Sequence, residues 1–124
     1  MANAEHLSLL QQGVATWNEW RETYSEVLPD LRGAQLSGAD LCTVNFSKAN
    51  LARADLQGAI LAEANLREAQ LPWTLLSDAN LQHADLTHAT GLLAGQLAGA
   101  NVAGAQLPEE IRLFPELAIV EQLS

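Results

Sequence analysis

Few side chains in this chain are of types that do chemistry. His83 and His88 lie five residues apart, with Asp78 and Asp85 nearby. Imidazoles and carboxylates together can hold a divalent cation. The spacing argues against it here, because the five-residue step described below places the two imidazoles on neighbouring faces that diverge around a corner, and no third ligand is evident. Both histidines read as solvated surface. Cys42 is the single cysteine, which excludes an intramolecular disulfide and a cysteine-rich metal site. It has no basic neighbour to favour a thiolate, so no reactive role is expected. No Ser/His/Asp arrangement, phosphate-cradling glycine loop or buried carboxylate pair can be assembled. The expectation is no catalytic residue, no cofactor, no metal and no enzyme.

The informative residues are apolar, and their spacing shows what must position them. From Leu31 a large apolar residue recurs every fifth position: Leu31, Leu36, Leu41, Phe46, Leu51, Leu56, Leu61, Leu66, Leu71, Leu76, Leu81 and Leu86. The pattern slips by one residue at Thr90-Gly91 and resumes as Leu92, Leu97, Val102 and Leu107. Two residues before each such centre the chain carries alanine in eleven of sixteen units, the exceptions being Pro29, Val44, Thr74, Thr90 and Gly95. The residue just before the centre is Asp or Asn in nine units and Gln in four. On an α-helix, five residues rotate by roughly 500°, so the leucines would scatter around the barrel. On a straight strand an odd period would alternate their faces. The period is consistent only with a chain that turns a corner once per repeat, points every leucine at one axis and stacks successive coils about 4.8 Å apart. Alanine then fills the cramped inward site near the corner, Asp and Asn serve the turn, and the two residues after the centre point outward and vary freely.

The units Ala39-Asp40-Leu41, Ala49-Asn50-Leu51, Ala54-Asp55-Leu56, Ala64-Asn65-Leu66, Ala79-Asn80-Leu81 and Ala84-Asp85-Leu86 resemble the pentapeptide-repeat family, whose unit is A(D/N)LXX. The resemblance implies an all-β solenoid, a right-handed quadrilateral β-helix with four repeats per coil and about four coils over residues 29–108.

A solenoid exposes its core at each end. Residues 1–28 are expected to form a helical cap, read as one amphipathic helix over 4–26. Leu7, Leu10, Val14, Trp17 and Tyr24 lie on its stripe, Trp20 flanks it and Asn3 starts it. The stretch Gly13–Arg21 also resembles a helix that commonly precedes such repeats in bacterial proteins; a partner-binding helix is the other reading. Residues 109–124 are expected to form short helices, begun at Pro108 and Pro115 and carrying Ile111, Leu113, Phe114, Leu117, Val120 and Leu123. They are read as a second cap, with a domain junction or dimer contact as the alternative.

Departures from the repeat are the candidate sites. Trp73 occupies an outward position, and Leu75 and Ile60 stand where Asp or Asn is usual. The slip leaves Leu93 outward, one coil above Pro72. Pro72, Trp73, Leu75 and Leu93 are therefore expected to form one exposed apolar patch of the kind that marks partner surfaces, and Ile60 is a further candidate partner-binding residue. The alternative is that Trp73 covers the slipped loop.

Composition bounds the function. The 124 residues carry a net charge of −9, from 6 basic and 15 acidic groups, with pI near 4.5. Acidity disfavours direct nucleic-acid binding. No basic-then-apolar leader or long apolar stretch is visible, so the expectation is a cytoplasmic monomer or weak end-to-end dimer that does not insert into a membrane. The leading reading is a protein–protein interaction scaffold or regulatory module with an unknown protein partner. Two alternatives stand: a soluble module of a larger membrane-associated protein, and an acidic DNA mimic, since some pentapeptide-repeat proteins protect DNA gyrase by presenting a DNA-like rod. Residues 29–107 carry seven acids and four bases, net −3, against roughly 11 charges on duplex DNA of the same ~19 Å length. The mimic is correspondingly poor.

Overall fold

A computed structural model describes residues 1–109 and Ile111. The chain begins with α1 (Ala4–Gln11) and α2 (Val14–Thr23), and then coils. Parallel bridges join Asp30 to Asn50, Gln35 to Asp55, Asp40 to Ile60 and Asn45 to Asn65, and the same 20-residue offset continues upward. Each coil therefore consumes four five-residue units. We number the four faces by their first-coil residues: Asp30 on the first, Gln35 on the second, Asp40 on the third and Asn45 on the fourth.

Three hydrogen bonds per unit tie one coil to the next. The centre N–H donates upward, as from Leu31 to the Asn50 carbonyl (2.9 Å). So does the N–H two residues on, as from Gly33 to Ala52 (2.9 Å), while Asn50 N–H donates downward to Pro29 (2.9 Å). The N–H one residue after the centre has no place in this ladder. The Asp or Asn before the centre supplies its partner. In all nine units with Asp or Asn the side-chain Oδ1 accepts from that amide, for example Asn50 from Ala52 (3.1 Å) and Asp85 from Thr87 (2.9 Å). None of the four Gln units makes this bond; in two of them the residue after the centre is proline, Pro72 or Pro108, and has no N–H to offer.

The centres from Leu31 to Leu86, together with Leu97, are buried, and Leu92, Val102 and Leu107 are partly buried against them. The inward alanines are buried along most of the body. At the slip the register differs from the sequence expectation. Thr90 bridges Gln70, and the buried small residue is Ala89, not Thr90. The extra residue enters after Thr90. The offset becomes 21 at Asn80–Asn101 and Asp85–Gln106, and residues 94–97 form a short 3₁₀ turn in place of a bridged face.

The second outward position does not vary freely. It is left-handed in unit after unit, at φ near +60° for Thr43, Lys48, Arg53, Glu63, Glu68, Trp73, Asp78, His83 and His88. Such a φ favours glycine, and Gly33, Gly38, Gly58, Gly99 and Gly104 share the conformation. At Gly104 the space is also occupied, because an added Cβ would collide with the His83 imidazole at Nδ1. Gly104→Ala is expected to cost about 1–3 kcal/mol, read as a lowered urea midpoint with unchanged slope; His83→Ala should relieve the part due to contact.

The N-terminal segment is two helices, not one over 4–26. Gly13 at φ +115° breaks it, a backbone conformation that a helix does not allow. Asn3 starts α1 as expected, its Oδ1 accepting from Glu5 N–H (2.9 Å) and His6 N–H (3.1 Å). Leu10 and Trp17 are buried, and Leu7, Val14 and Trp20 are partly so, whereas Tyr24 is exposed because the helix ends at Thr23.

The two helices supply groups that a lower coil would have provided. Asn3 N–H donates to the Asp30 carbonyl (2.9 Å), and Asp30 N–H donates to His6 Nδ1 (3.0 Å). Asn45 N–H donates to Asn18 Oδ1 (2.8 Å). Trp17 Nε1–H and Arg21 Nη1–H both donate to the Asn45 carbonyl (2.8 and 3.0 Å), and Arg21 Nη2–H donates to Ser47 (2.9 Å). Arg21 is buried, and desolvation holds its guanidinium below its ordinary pKa. Ile111 is buried against the core, whereas the expected apolar residues Leu113, Phe114, Leu117, Val120 and Leu123 lie outside the described residues.

Candidate partner surface at Trp73

The corner between the first and second faces carries a column of left-handed positions, Gly33, Arg53 and Trp73, each one coil above the last. Arg53 N–H donates to the Pro72 carbonyl (3.0 Å), which fixes Trp73 directly over Arg53. The indole stands out from the body with 72% of its surface exposed. It is not covered by the slipped loop.

Pro72 fits its place for a backbone reason. It follows Gln70-Leu71, so it occupies the position whose N–H an Asp or Asn would otherwise satisfy. Proline has no such N–H, and Gln70 therefore leaves nothing unpaired. Leu75 is different. It replaces an Asp or Asn, and among the described residues the Ser77 N–H finds no acceptor. The same holds at Ile60, where the Ala62 N–H finds none among the described residues.

The slip builds the upper wall. Gly91 sits against Pro72, where a Cβ would lie 2.8 Å from the proline nitrogen. Gln96 holds the loop down: its Nε2 donates to the Leu71 and Thr74 carbonyls (2.9 and 2.8 Å) and its Oε1 accepts from Leu93 N–H (2.7 Å). Thr74 is buried at an alanine site and satisfies its hydroxyl on the Leu51 carbonyl (2.7 Å). Leu93 is thus raised to 69% exposure over the groove floor. The resulting groove, about 550 Å³, is lined by Pro72, Trp73, Leu75, Leu93 and the loop residues.

The four residues expected to form one patch line this groove together. Ile60 is not among them. It bridges Asp40 and Asn80 on the third face, while Leu75 bridges Asp55 on the second, so a corner separates them. Ile60 is exposed, but by itself. The groove-forming role of Gly91 and Gln96 was not foreseen; the slip itself was the available signal.

His83 and His88 are exposed at successive corners. Among the described residues, no three His, Cys, Asp or Glu side chains come together as a metal site, and no helix is long and apolar enough to cross a membrane. Desolvation pushes the Asp85 carboxyl up, but the hydrogen bonds from Thr87 and the hydrogen bond and charge of Arg67 together outweigh it and hold the group below the usual carboxylate range.

A family model described as pentapeptide repeats matches residues 30–62 and 54–90, with eight copies. Among solved structures, the chain is similar to HetL from the cyanobacterium Nostoc sp. strain PCC 7120, a pentapeptide repeat protein involved in heterocyst differentiation regulation. The identity is 32% and the TM-score 0.56, over 64% of this chain and 37% of that one. It is also similar to Rfr23 from the cyanobacterium Cyanothece 51142, at 34% identity and TM-score 0.49 over 64% of this chain and 50% of that one. Against the Nostoc protein alr5209 the identity is 29% and the TM-score 0.48, over 82% and 91%. The chain thus spans about a third to a half of the length of the first two. Comparison with curated proteins gives no match. The matched repeats, the 20-residue bridge register and the Asp/Asn bond in each regular unit agree, and the chain belongs to the pentapeptide-repeat family.

Proposed function

We propose that this protein is a non-enzymatic interaction module that docks a protein partner on the Trp73 groove. The body is read as a right-handed quadrilateral β-helix of about four coils, with α1 and α2 capping the first and fourth faces of its first coil; the bonds from Trp17 and Arg21 to Asn45 and Ser47 support that cap. The observation that carries the reading is that the groove is built from residues that serve the fold badly. Trp73 occupies a left-handed position better suited to glycine. Leu75 forfeits the hydrogen bond that Asp or Asn makes in every regular unit. Leu93 is exposed by an inserted residue. Local conflicts of this kind concentrate at functional sites.

Leu75→Asn is accordingly expected to raise stability by about 1 kcal/mol through the recovered bond to Ser77 N–H. Trp73→Ser should fold normally. Both should lose the partner in affinity purification from the native host, while Gln57→Trp, on another corner, keeps it. Equal capture by wild type and Trp73→Ser would sink the docking role; unfolding of Trp73→Ser would assign the indole to the fold. A regulatory role is favoured by the likeness to HetL, whose own description is regulatory, and a cytoplasmic setting belongs to the same proposal. DNA mimicry is the second reading, supported by the net charge of −9 and tested by a gyrase supercoiling assay.

A further inference from the structure

The first coil has a lower edge, and α1 and α2 cover only half of it. In the ladder, the residue before each centre looks to the coil below with both its N–H and its carbonyl, and the residue after the centre with its carbonyl. On the first and fourth faces those groups of Asp30, Asn45 and Ser47 are taken by Asn3, His6, Trp17, Asn18 and Arg21. On the second and third faces they are not. Among the described residues nothing accepts from the Gln35 or Asp40 N–H, and nothing donates to the Gln35, Ser37, Asp40 or Cys42 carbonyl. Asp30 and Asn45 are half-buried, while Gln35 and Asp40 are exposed. This is an open strand edge, turned once at a corner.

A groove of about 730 Å³ opens beside it, between α1 and the coil. Leu7, Ala4 and Ala34 give it an apolar wall, and Gln35 and Arg53 lie on its rim. Of the two arginines there, Arg32 is bound to Asp30 (2.8 Å), holding that carboxyl below the usual range. Arg53 makes no side-chain hydrogen bond or ion pair among the described residues. In a chain of net charge −9, an unpaired guanidinium beside unpaired backbone is a specific cationic point.

We propose that the edge at Gln35–Cys42 binds an extended, acidic peptide segment of a partner protein by strand addition. Only an extended backbone offers donors and acceptors at the spacing of the unpaired groups. The apolar wall receives a side chain of the segment, and Arg53 pairs with its carboxylate. A second copy of this chain does not fit there, because α1 and α2 project a helix diameter of about 10 Å beyond the edge and keep two coil ends apart. The proposal is independent of the Trp73 groove.

The probe is a synthetic peptide with the chain's own sequence of residues 54–66, which has the five-residue period and carries Asp and Glu. Titrated into ¹⁵N-labelled full-length protein, it is expected to shift the Gln35 and Asp40 amides and slow their hydrogen exchange. Those amides should exchange fast in the free protein, where Asp30 and Asn45 are protected. Methylating the probe's backbone nitrogens at the centre positions should weaken binding about tenfold, Arg53→Glu should weaken it several-fold, and Trp73→Ser should leave it unchanged. Equal binding of the methylated probe, shifts confined to other residues, or no shift at millimolar peptide would overturn the proposal. So would a self-associated protein in which Gln35 is already protected, seen by sedimentation.

Discussion

Ala54→Trp is expected to prevent the chain from folding into a stable body, whereas Gln57→Trp, three residues away, should be tolerated. Ala54 is fully buried between the Leu51 and Leu56 centres. Its N–H donates to Leu51 (3.0 Å), and its carbonyl accepts from Leu75 in the next coil (2.9 Å). An indole there cannot be absorbed by a rotamer change, since the backbone is tied above and below. Even one or two inserted methylenes in a packed core cost about 1–3 kcal/mol, and an indole adds far more volume. The displaced coil would also lose its bonds to both neighbours. Gln57 lies on the surface and has no such constraint. Thermal unfolding followed by far-ultraviolet circular dichroism separates the variants, and similar midpoints for the two would refute the inward and outward assignment.

The second large effect is expected at the N-terminal end of the core. Trp17 is fully buried, lies edge-on to Phe46 at 5.7 Å and tilted against Trp20 at 5.0 Å, and donates to the Asn45 carbonyl. It joins the helices to Phe46, the one aromatic side chain on the axis of the first coil. Trp17→Ala is expected to cost about 3–5 kcal/mol and to release α1 and α2 before the coils melt, visible as loss of helical signal ahead of the main transition. Trp17→Phe keeps most of the apolar contact and loses only the donor. Because Arg21 also serves the Asn45 carbonyl, that variant should cost only about 1 kcal/mol. Equal losses for the two would place the effect in the hydrogen bond rather than in packing.

Much of this fold is legible in the sequence because a solenoid repeats one local solution. The leucines at every fifth position give the axis, and the alanines give the narrow corner. The Asp/Asn preference was read as generic turn chemistry; the structure gives it a specific task, one amide per unit. The four-fold geometry came from the resemblance, since a five-residue period does not state how many corners close a coil. Other features depended on contacts between coils and stayed hidden. The left-handed backbone at Trp73 and its neighbours leaves little trace in composition, because nine non-glycine residues accept it. The helix break at Gly13 is masked in the sequence by the amphipathic stripe on either side of it. Ile60 and Leu75 look alike along the chain and separate only when faces are counted. Ala89 and Thr90 exchange roles because the inserted residue falls one place later than the leucine pattern suggests.

The 20-residue register makes chain length an angular coordinate. Removing five residues between Leu31 and Leu71 would turn everything beyond the deletion by a quarter revolution, carrying Trp73 off the corner above Arg53. Removing a full coil of twenty would shorten the body by about 4.8 Å and keep Trp73 on its corner. Whole-coil insertions and deletions are therefore the changes that conserve which residues of α1 and the groove a single partner meets on one side, and five-residue changes are the ones that redirect it.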